Sequence, residues 1–93
     1  MLKVNEYFEG NVKSISLATS EGPATVGVMA KGSYEFGTST KEVLIVTTGE
    51  LKVKLPGAAE WKTFRPYEQF EVAAGQKFQL EVPADASYIC YYR

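Results

Sequence analysis

Apolar and polar residues alternate along short segments of this chain with the period of two that is typical of β-strands. The clearest segment spans residues 50–55, where three apolar residues alternate with one glutamate and two lysines. Segment 43–48 is apolar up to its two threonines, which favours a strand that is buried on both faces. Glycine and proline separate the segments at intervals mostly too short for a helix of about 10–12 residues. The pattern therefore predicts an all-β chain.

Eight or nine short strands follow from this pattern. We expect them at 12–17, 24–29, 33–36, 43–48, 50–55, 61–64, 69–72, 77–82 and 87–92. Short strands at such regular spacing predict an antiparallel sandwich or barrel. A jelly-roll β-barrel of this size would close its own edges and would be lined by every second residue of each strand. A small interior cavity is then the expected place for a functional site.

Composition narrows the classes of function. The 93 residues, 45% of them hydrophobic, predict one domain over 1–93 that is small enough to gain stability as a homodimer. Ten basic and eleven acidic residues give a net charge of −1 without a long basic run, so we expect no nucleic-acid partner. No apolar run approaches the roughly 20 residues of a membrane span. The single Cys90 forms no intrachain disulfide and, with no signal peptide visible, favours a cytoplasmic location.

Two glycine-anchored segments carry a resemblance to the cupin barrel. Segment 42–49 runs from a glutamate through six mostly β-forming residues to a glycine, and segment 73–78 contains Gly75 and ends at Phe78. In metal-binding cupins, histidines stand near the positions of Tyr34 and Phe36 and at that of Phe78, but this chain contains no histidine. The resemblance implies a single-domain cupin without the usual metal, so we expect no metal site.

A second resemblance covers nearly the whole chain and names one family. The matching stretches are 5–10, 12–15, 26–29, 32–36 with Thr38, 42–49, 51–56, Trp61, 70–72, Phe78 and 88–91. In this order and spacing they resemble the pyrimidine/purine nucleoside phosphorylases, which are small single-domain bacterial cupins. The resemblance implies that nucleosides of both base classes react with phosphate to give free base and α-D-ribose 1-phosphate. Phosphate is then a co-substrate, and no cofactor is implied.

Glu42 is the residue we expect to be most important for catalysis. In the cupin pattern this position points into the barrel, where a carboxylate can accept hydrogen bonds from ribose hydroxyls or stabilise developing positive charge. Burial among aromatic residues would raise its pKa. The alternative is a structural glutamate that is bonded to a tyrosine hydroxyl or a backbone amide.

Aromatic residues are candidates for contacts with the base. Tyr34 and Phe36 are two residues apart and share one strand face, so Phe36 can stack on a base while Tyr34 offers a catalytic hydroxyl. Phe78 stands at the position of the lost histidine and can also stack on a base. Plain core packing is the competing interpretation for all three, and for Phe36 and Phe78 it is the stronger one.

A polar loop is the candidate phosphate cradle. Thr38 and Ser39 follow Gly37 and offer hydroxyls and successive backbone amides, and Lys41 can add charge. An ordinary turn is the competing interpretation. The only arginines, Arg65 and Arg93, are weaker candidates because they lie in an expected loop and at the last residue.

The last strand contributes one more candidate. Tyr88, Cys90 and Tyr92 share one face, and Ile89 and Tyr91 share the other. We expect one tyrosine to face the cavity, choose Tyr91 for substrate binding, and expect the opposite face to suit a dimer interface. Cys90 is expected to be a small buried residue and not a nucleophile, because no histidine can activate it.

Three hypotheses follow for the function. The resemblance favours a metal-independent nucleoside phosphorylase. A non-catalytic cupin that binds a small ligand, such as a nucleoside or sugar, is the alternative, because the residues alone show no complete catalytic constellation. A metal cupin built on Glu42 and water is the weakest, since one inward glutamate supplies too few ligands for most transition metals.

Overall fold

The computed structural model describes residues 2–93, which form ten β-strands and one turn of 3-10 helix, Phe8–Gly10. The strands are β1 (Lys3–Tyr7), β2 (Val12–Thr19), β3 (Gly22–Met29), β4 (Gly32–Gly37), β5 (Glu42–Thr48), β6 (Leu51–Lys54), β7 (Lys62–Phe64), β8 (Gln69–Val72), β9 (Lys77–Val82) and β10 (Ala86–Tyr92). Strand β1 is absent from the sequence prediction because its residues show no alternation of apolar and polar side chains. The described part of the chain has no helix with the length and apolar character needed to cross a membrane.

The strands form two antiparallel sheets. The larger has the order β1-β2-β3-β10-β5-β8, and the smaller has the order β4-β9-β6-β7. Inward residues of both sheets make one core, in which β5, β6 and β9 contribute fully buried aliphatic residues such as Val46, Val53 and Leu80. The expectation of an all-β chain is therefore confirmed.

The expectation of a closed jelly-roll barrel is wrong for the described residues. Their strands fall into two separate sheets, with no ladder of backbone hydrogen bonds joining the two into a ring. The physical reason lies in the turns: between β4 and β9 the chain changes sheet at every connection except β6–β7. Strands that follow each other there face each other across the core and do not pair along an edge.

Gly27 makes room for an aromatic side chain above the centre of the large sheet. Gly27 on β3 pairs with Ser14 on β2 and with Tyr88 on β10. A β-carbon at Gly27 would overlap the phenol ring of Tyr88, so only glycine lets this ring lie flat across β3. With this space available at Gly27, the side chain of Tyr88 lies between the two sheets.

Adding one methyl group tests this arrangement. We expect Gly27→Ala to lower the free energy of unfolding by about 1–3 kcal/mol, because the ring of Tyr88 must move out of its position. Urea unfolding measures the change. Gly37→Ala is the matched control: its new β-carbon would lie 3.9 Å from the nearest atom, the carbonyl oxygen of Gln76, and should change stability by less than about 0.5 kcal/mol. Equal effects of the two variants would contradict the packing role of Gly27.

Candidate active site between the two sheets

A cavity of about 250 Å³ lies between the sheets, near the corner where β4 ends and β5 begins. Its size approaches the range of about 300–1,000 Å³ that is usual for small-molecule sites, so it suits one small organic ligand. One side of the cavity is aromatic and contains Tyr7, Phe36 and Phe78. The rings of Phe36 and Phe78 are stacked with their centroids 6.0 Å apart, and they present flat apolar surface to a ligand.

The other side of the cavity is polar. It is formed by Glu42 at the start of β5, by Tyr88, Cys90 and Tyr92 on β10, and by the hydroxyls of Ser14 and Ser39. Glu42 and Tyr92 are directly opposite each other in the β5–β10 ladder, which places both at the same end of the sheet. Since alternate residues of a strand share one face, the three residues of β10 point inward together.

Glu42 is held in place by hydrogen bonding within this polar side. The thiol of Cys90 donates to Oε1 of Glu42 at 3.5 Å. The hydroxyls of Tyr92 and Thr25 are hydrogen-bonded to each other at 3.0 Å, which fixes the neighbouring ring. The described residues that line the cavity include no lysine or arginine, so Glu42 has no cationic partner there.

Four titratable groups at this site favour their protonated forms. Burial raises the pKa of Glu42 above its ordinary value of 4.5, an effect that the Cys90 hydrogen bond partly opposes. Burial, with a smaller contribution from Cys90, raises the pKa of Tyr88 to about 12. Burial likewise raises the pKa of Cys90 and of Tyr92. The phenols and the thiol are thus hydrogen-bond donors at neutral pH, and Cys90 lacks the thiolate that a nucleophile needs.

The donor set does not fit the metal that cupins usually hold. Among residues 2–93, no group of three or more histidine, cysteine, aspartate or glutamate side chains is placed to hold a metal ion. Of the described residues that line the cavity, only Glu42 and Cys90 are of these types, and the Cys90 thiol resists ionisation. Transition-metal sites usually need three or four deprotonated ligands, so two groups of this kind are too few.

Four of the candidate residues from the sequence come together at the cavity. Phe36, Ser39, Glu42 and Phe78 all line it. Their roles with a substrate remain predictions. Phe36 and Phe78 lie together because they are paired in the β4–β9 ladder. Ser39 lies in the loop that follows β4, and Glu42 is the first residue of β5.

Tyr34 and Thr38 lie outside the cavity lining and make structural hydrogen bonds. The Tyr34 hydroxyl donates to the carbonyl oxygen of Ala30 at 2.6 Å. The buried Thr38 hydroxyl donates to the carbonyl oxygen of Ala73 at 2.6 Å and accepts from the backbone amide of Gln76 at 3.1 Å. Thr38 thereby holds the β4–β5 loop against the β8–β9 turn, so Ser39 is the loop hydroxyl that remains directed at the cavity.

Tyr91 and the two arginines also lie away from the cavity. Tyr91 points to the outer face of β10, where the guanidinium of Arg93 lies 5.1 Å from its ring centroid. Arg93 further donates to the carbonyl oxygen of Glu21 at 2.6 Å. Arg65 is exposed in the β7–β8 loop. Lys41 forms an ion pair with Glu71 at 2.9 Å on the outer face.

Sequence reasoning missed Tyr7, Ser14, Tyr88 and Tyr92 as cavity residues. For the tyrosines of β10 a signal existed, because both share a strand face with Cys90 and a free cysteine is usually buried. No comparable signal marked Tyr7, since β1 shows no apolar alternation and only the folded chain places its end beside Phe36.

Comparison with known proteins adds family information to this geometry. The family model described as pyrimidine/purine nucleoside phosphorylase matches residues 2–92. A pyrimidine/purine nucleoside phosphorylase of Pseudomonas fluorescens (strain Pf0-1) is 58% identical over 93 residues, which is 100% of this chain and 99% of that protein.

Two solved structures are similar to the whole architecture. A protein of unknown function from Vibrio parahaemolyticus superposes with a TM-score of 0.96 at 39% identity, covering 100% of this chain and 99% of the other. An RmlC-like cupin from Shewanella frigidimarina superposes with a TM-score of 0.75 at 21% identity, covering 96% and 80% of the two chains. The second likeness is one of fold alone, and it supports a cupin-like arrangement of the sheets.

The raised pKa of Glu42 predicts a pH-dependent contribution to stability. The folded chain holds the Glu42 proton more tightly than the unfolded chain, so this contribution is complete below pH 4.5 and is lost as the pH rises through the raised pKa. In Glu42→Gln the amide carries no charge at any pH. We therefore expect the variant to gain stability relative to the wild type between pH 4.5 and mildly alkaline pH, as measured by urea unfolding at each pH. A difference that stays constant over this range would contradict the raised pKa.

Proposed function

Because the chain belongs to the pyrimidine/purine nucleoside phosphorylase family, we propose that it cleaves both purine and pyrimidine ribonucleosides with inorganic phosphate. The products are the free base and α-D-ribose 1-phosphate. The observation that carries this proposal is the match to a relative of that name over 100% of this chain and 99% of that protein. The enzyme is accordingly a pentosyltransferase, and a role in nucleoside salvage follows from the reaction.

The reaction sets three demands on the site. A phosphate oxygen forms a bond to the anomeric carbon while the C–N glycosidic bond breaks and the base leaves with the bonding electrons. The ribose gains positive charge in the transition state, so the site must position the ribose, hold phosphate and accommodate the base.

We assign the ribose to the polar side of the cavity. The carboxyl of Glu42 would bond to ribose hydroxyls, with the hydroxyls of Tyr88 and Tyr92 beside it. When Glu42 is ionised, its negative charge would also stabilise the developing positive charge on the sugar. The Cys90 hydrogen bond supports this role because it fixes one carboxyl oxygen and leaves the other free for substrate.

We assign phosphate to the β4–β5 loop and the base to the aromatic side. Ser39 supplies a hydroxyl at the cavity wall, while Thr38 keeps the loop in place through its bonds to the β8–β9 turn. Stacking on Phe36 and Phe78 depends on the flat face of a ring and not on its hydrogen-bonding edge. This mode of binding supports a broad range of bases.

Metal independence is part of the proposal, and one assay tests it together with the reaction. Base release from uridine and from adenosine is measured by chromatography with and without phosphate, each in the presence and in the absence of excess chelator. We expect both nucleosides to be cleaved only when phosphate is present. Release without phosphate would indicate a hydrolase, and loss of all activity with chelator would indicate a metal enzyme.

Replacement of Glu42 tests its assignment directly. We expect Glu42→Gln to lower turnover at least about 100-fold, because the amide cannot carry the charge that stabilises the transition state. Glu35→Gln is the matched control, since Glu35 lies on the exposed face of β4. Both variants should remain folded by circular dichroism. A well-folded Glu42→Gln enzyme with near-normal turnover would refute the assignment.

A non-catalytic cupin that binds a nucleoside or sugar is the second candidate function. One observation favours it: on the cavity wall, Glu42 is the only carboxyl group among residues 2–93, and no cation or histidine accompanies it. This candidate predicts nucleoside binding with no release of base at high enzyme concentration.

We propose that the protein is a homodimer that pairs through the outer face of the large sheet. Five apolar residues lie side by side in one row across five strands: Val4, Ile15, Val26, Ile89 and Ile45. Val4 is 60% exposed, which is a large apolar exposure for a strand. The ion pairs Lys13–Glu6 and Lys41–Glu71 lie at the two ends of this face. This arrangement resembles that of protein interfaces, in which a polar rim surrounds an apolar centre.

A charge in the middle of this row should separate the dimer. We expect the wild type to have the mass of two chains by light scattering and Val26→Lys to have the mass of one, because the ammonium group would be buried without a partner. Gln79→Lys, on the exposed face of β9, should leave the mass unchanged. A monomeric wild-type protein would refute the proposal.

We place this enzyme in the cytoplasm. The cysteine of the described chain is a buried free thiol, and free thiols are usual in a reducing compartment. Nucleosides and phosphate are available there as substrates.

A further inference from the structure

The hairpin between β1 and β2 contains three consecutive residues with left-handed backbone conformation. The φ angles are 53° at Phe8, 59° at Glu9 and 86° at Gly10. Glycine adopts such angles freely, but a phenylalanine and a glutamate do so at a cost in free energy. Residues kept in this region are concentrated at ligand sites, so the turn warrants a functional explanation.

Several hydrogen bonds hold the turn in this form. The carbonyl oxygen of Phe8 accepts from the backbone amide of Asn11 at 3.1 Å and from its side-chain amide at 3.0 Å. The carbonyl oxygen of Asn11 accepts in turn from the amide of Ala30 at 2.8 Å. The turn is therefore fixed at both ends.

The ring of Phe8 connects the turn to the opposite sheet. Its centroid lies 5.0 Å from that of Tyr34 and 5.3 Å from that of Phe36, both on β4. The left-handed backbone directs this ring across the gap between the sheets. As a result the end of β1 is held beside the cavity.

Tyr7 lies at the end of β1, immediately before the turn. It lines the cavity, its ring packs edge-on against Phe36 at 6.3 Å and 79°, and it is 47% exposed. An aromatic ring that is half exposed at the cavity has one surface free for a ligand. Two rings at nearly a right angle leave a corner that can hold the face and one edge of a planar group.

We propose that Tyr7 stacks on the base of the bound nucleoside, and that the strained turn and Phe8 hold its ring in position. The ligand class is a planar heteroaromatic ring joined to a sugar, and the inference rests on the proposed nucleoside substrate. Tyr7 is a binding residue here, and Phe8 is a positioning residue that acts through it. A face-on contact is open to purines and pyrimidines alike, with more overlap for the larger purine.

Equilibrium binding tests the role of Tyr7 separately from turnover. Adenosine and uridine are titrated by calorimetry into phosphate-free protein, with chromatography of the mixture to check that no base is released. We expect Tyr7→Leu to raise the Kd of adenosine about tenfold or more, which is the usual effect of removing a stacked ring, and the Kd of uridine by less. Tyr7→Phe keeps the ring and should bind within about twofold of wild type.

Tyr67→Leu is the matched control, because it removes a tyrosine that is 83% exposed and does not line the cavity. Its Kd values should equal those of the wild type. Urea unfolding confirms that each variant is folded. Equal Kd values for Tyr7→Leu and Tyr67→Leu, or no adenosine binding to the wild type, would overturn the inference.

Phe8 requires a readout that a general loss of packing would not change. We expect Phe8→Ala to raise KM for adenosine while KM for phosphate stays the same, since phosphate is assigned to the β4–β5 loop at Ser39, whereas the ring of Phe8 packs against aromatic rings of β4 itself. A parallel rise of both KM values would reject the positioning role. If adenosine binding depends on Tyr7 but no base is released, the proposed phosphorylase activity is refuted and the inference about Tyr7 stands. If the wild type releases base but Tyr7→Leu binds adenosine as tightly as the wild type, the inference is refuted and the proposed activity stands.

Discussion

The face-to-face packing of two sheets is the constraint on which the rest of this structure depends. From β4 to β9 the chain changes sheet at nearly every turn, so the space between the sheets must be filled by inward residues from both sides. Aliphatic residues such as Val53 and Leu80 fill the middle of this space completely. Near the β4–β5 corner most of the side chains are aromatic or polar, and a cavity remains there. The site therefore arises where the core stops being filled by aliphatic side chains.

The cavity wall combines neutral hydrogen-bond donors with a single carboxyl group. Glu42, Tyr88, Cys90 and Tyr92 are all shifted toward their protonated forms by burial, and the lining residues of the described chain include no cation. Such a wall is suited to ligands that are rich in hydroxyl groups, because neutral hydroxyls can donate and accept hydrogen bonds there without bringing a charge into the cavity. Its aromatic side is suited to a planar ring. A nucleoside has both parts, which is why the geometry and the family membership support the same proposal.

Much of the fold follows from local patterns, whereas only part of the site does. The alternation in segment 50–55 and the apolar run at 43–48 correctly indicate strands, since the period of two is a local property. Whether the strands close into a ring depends on which sheet each turn leads to, and the residues do not encode this locally. The alternation of side chains along a strand also places Tyr88 and Tyr91 on opposite faces of β10. Which of these faces points into the core depends on the pairing of β10 with β3 and β5, which the local sequence does not show. The position of Tyr7 beside the cavity depends on the left-handed backbone angles at Phe8 and Glu9, and the conformational preferences of these two residues do not predict such angles.

The central proposal is that Glu42 is a half-buried, functional carboxyl group on the wall of a nucleoside site. The most direct test is a carbon-13 NMR titration of the Glu42 carboxyl carbon, first in the free protein and then with saturating adenosine in phosphate-free buffer. Our account predicts a midpoint above the ordinary value of 4.5 in the free protein, and a change in both chemical shift and midpoint when adenosine is bound. A midpoint at the ordinary value that adenosine does not alter would contradict it.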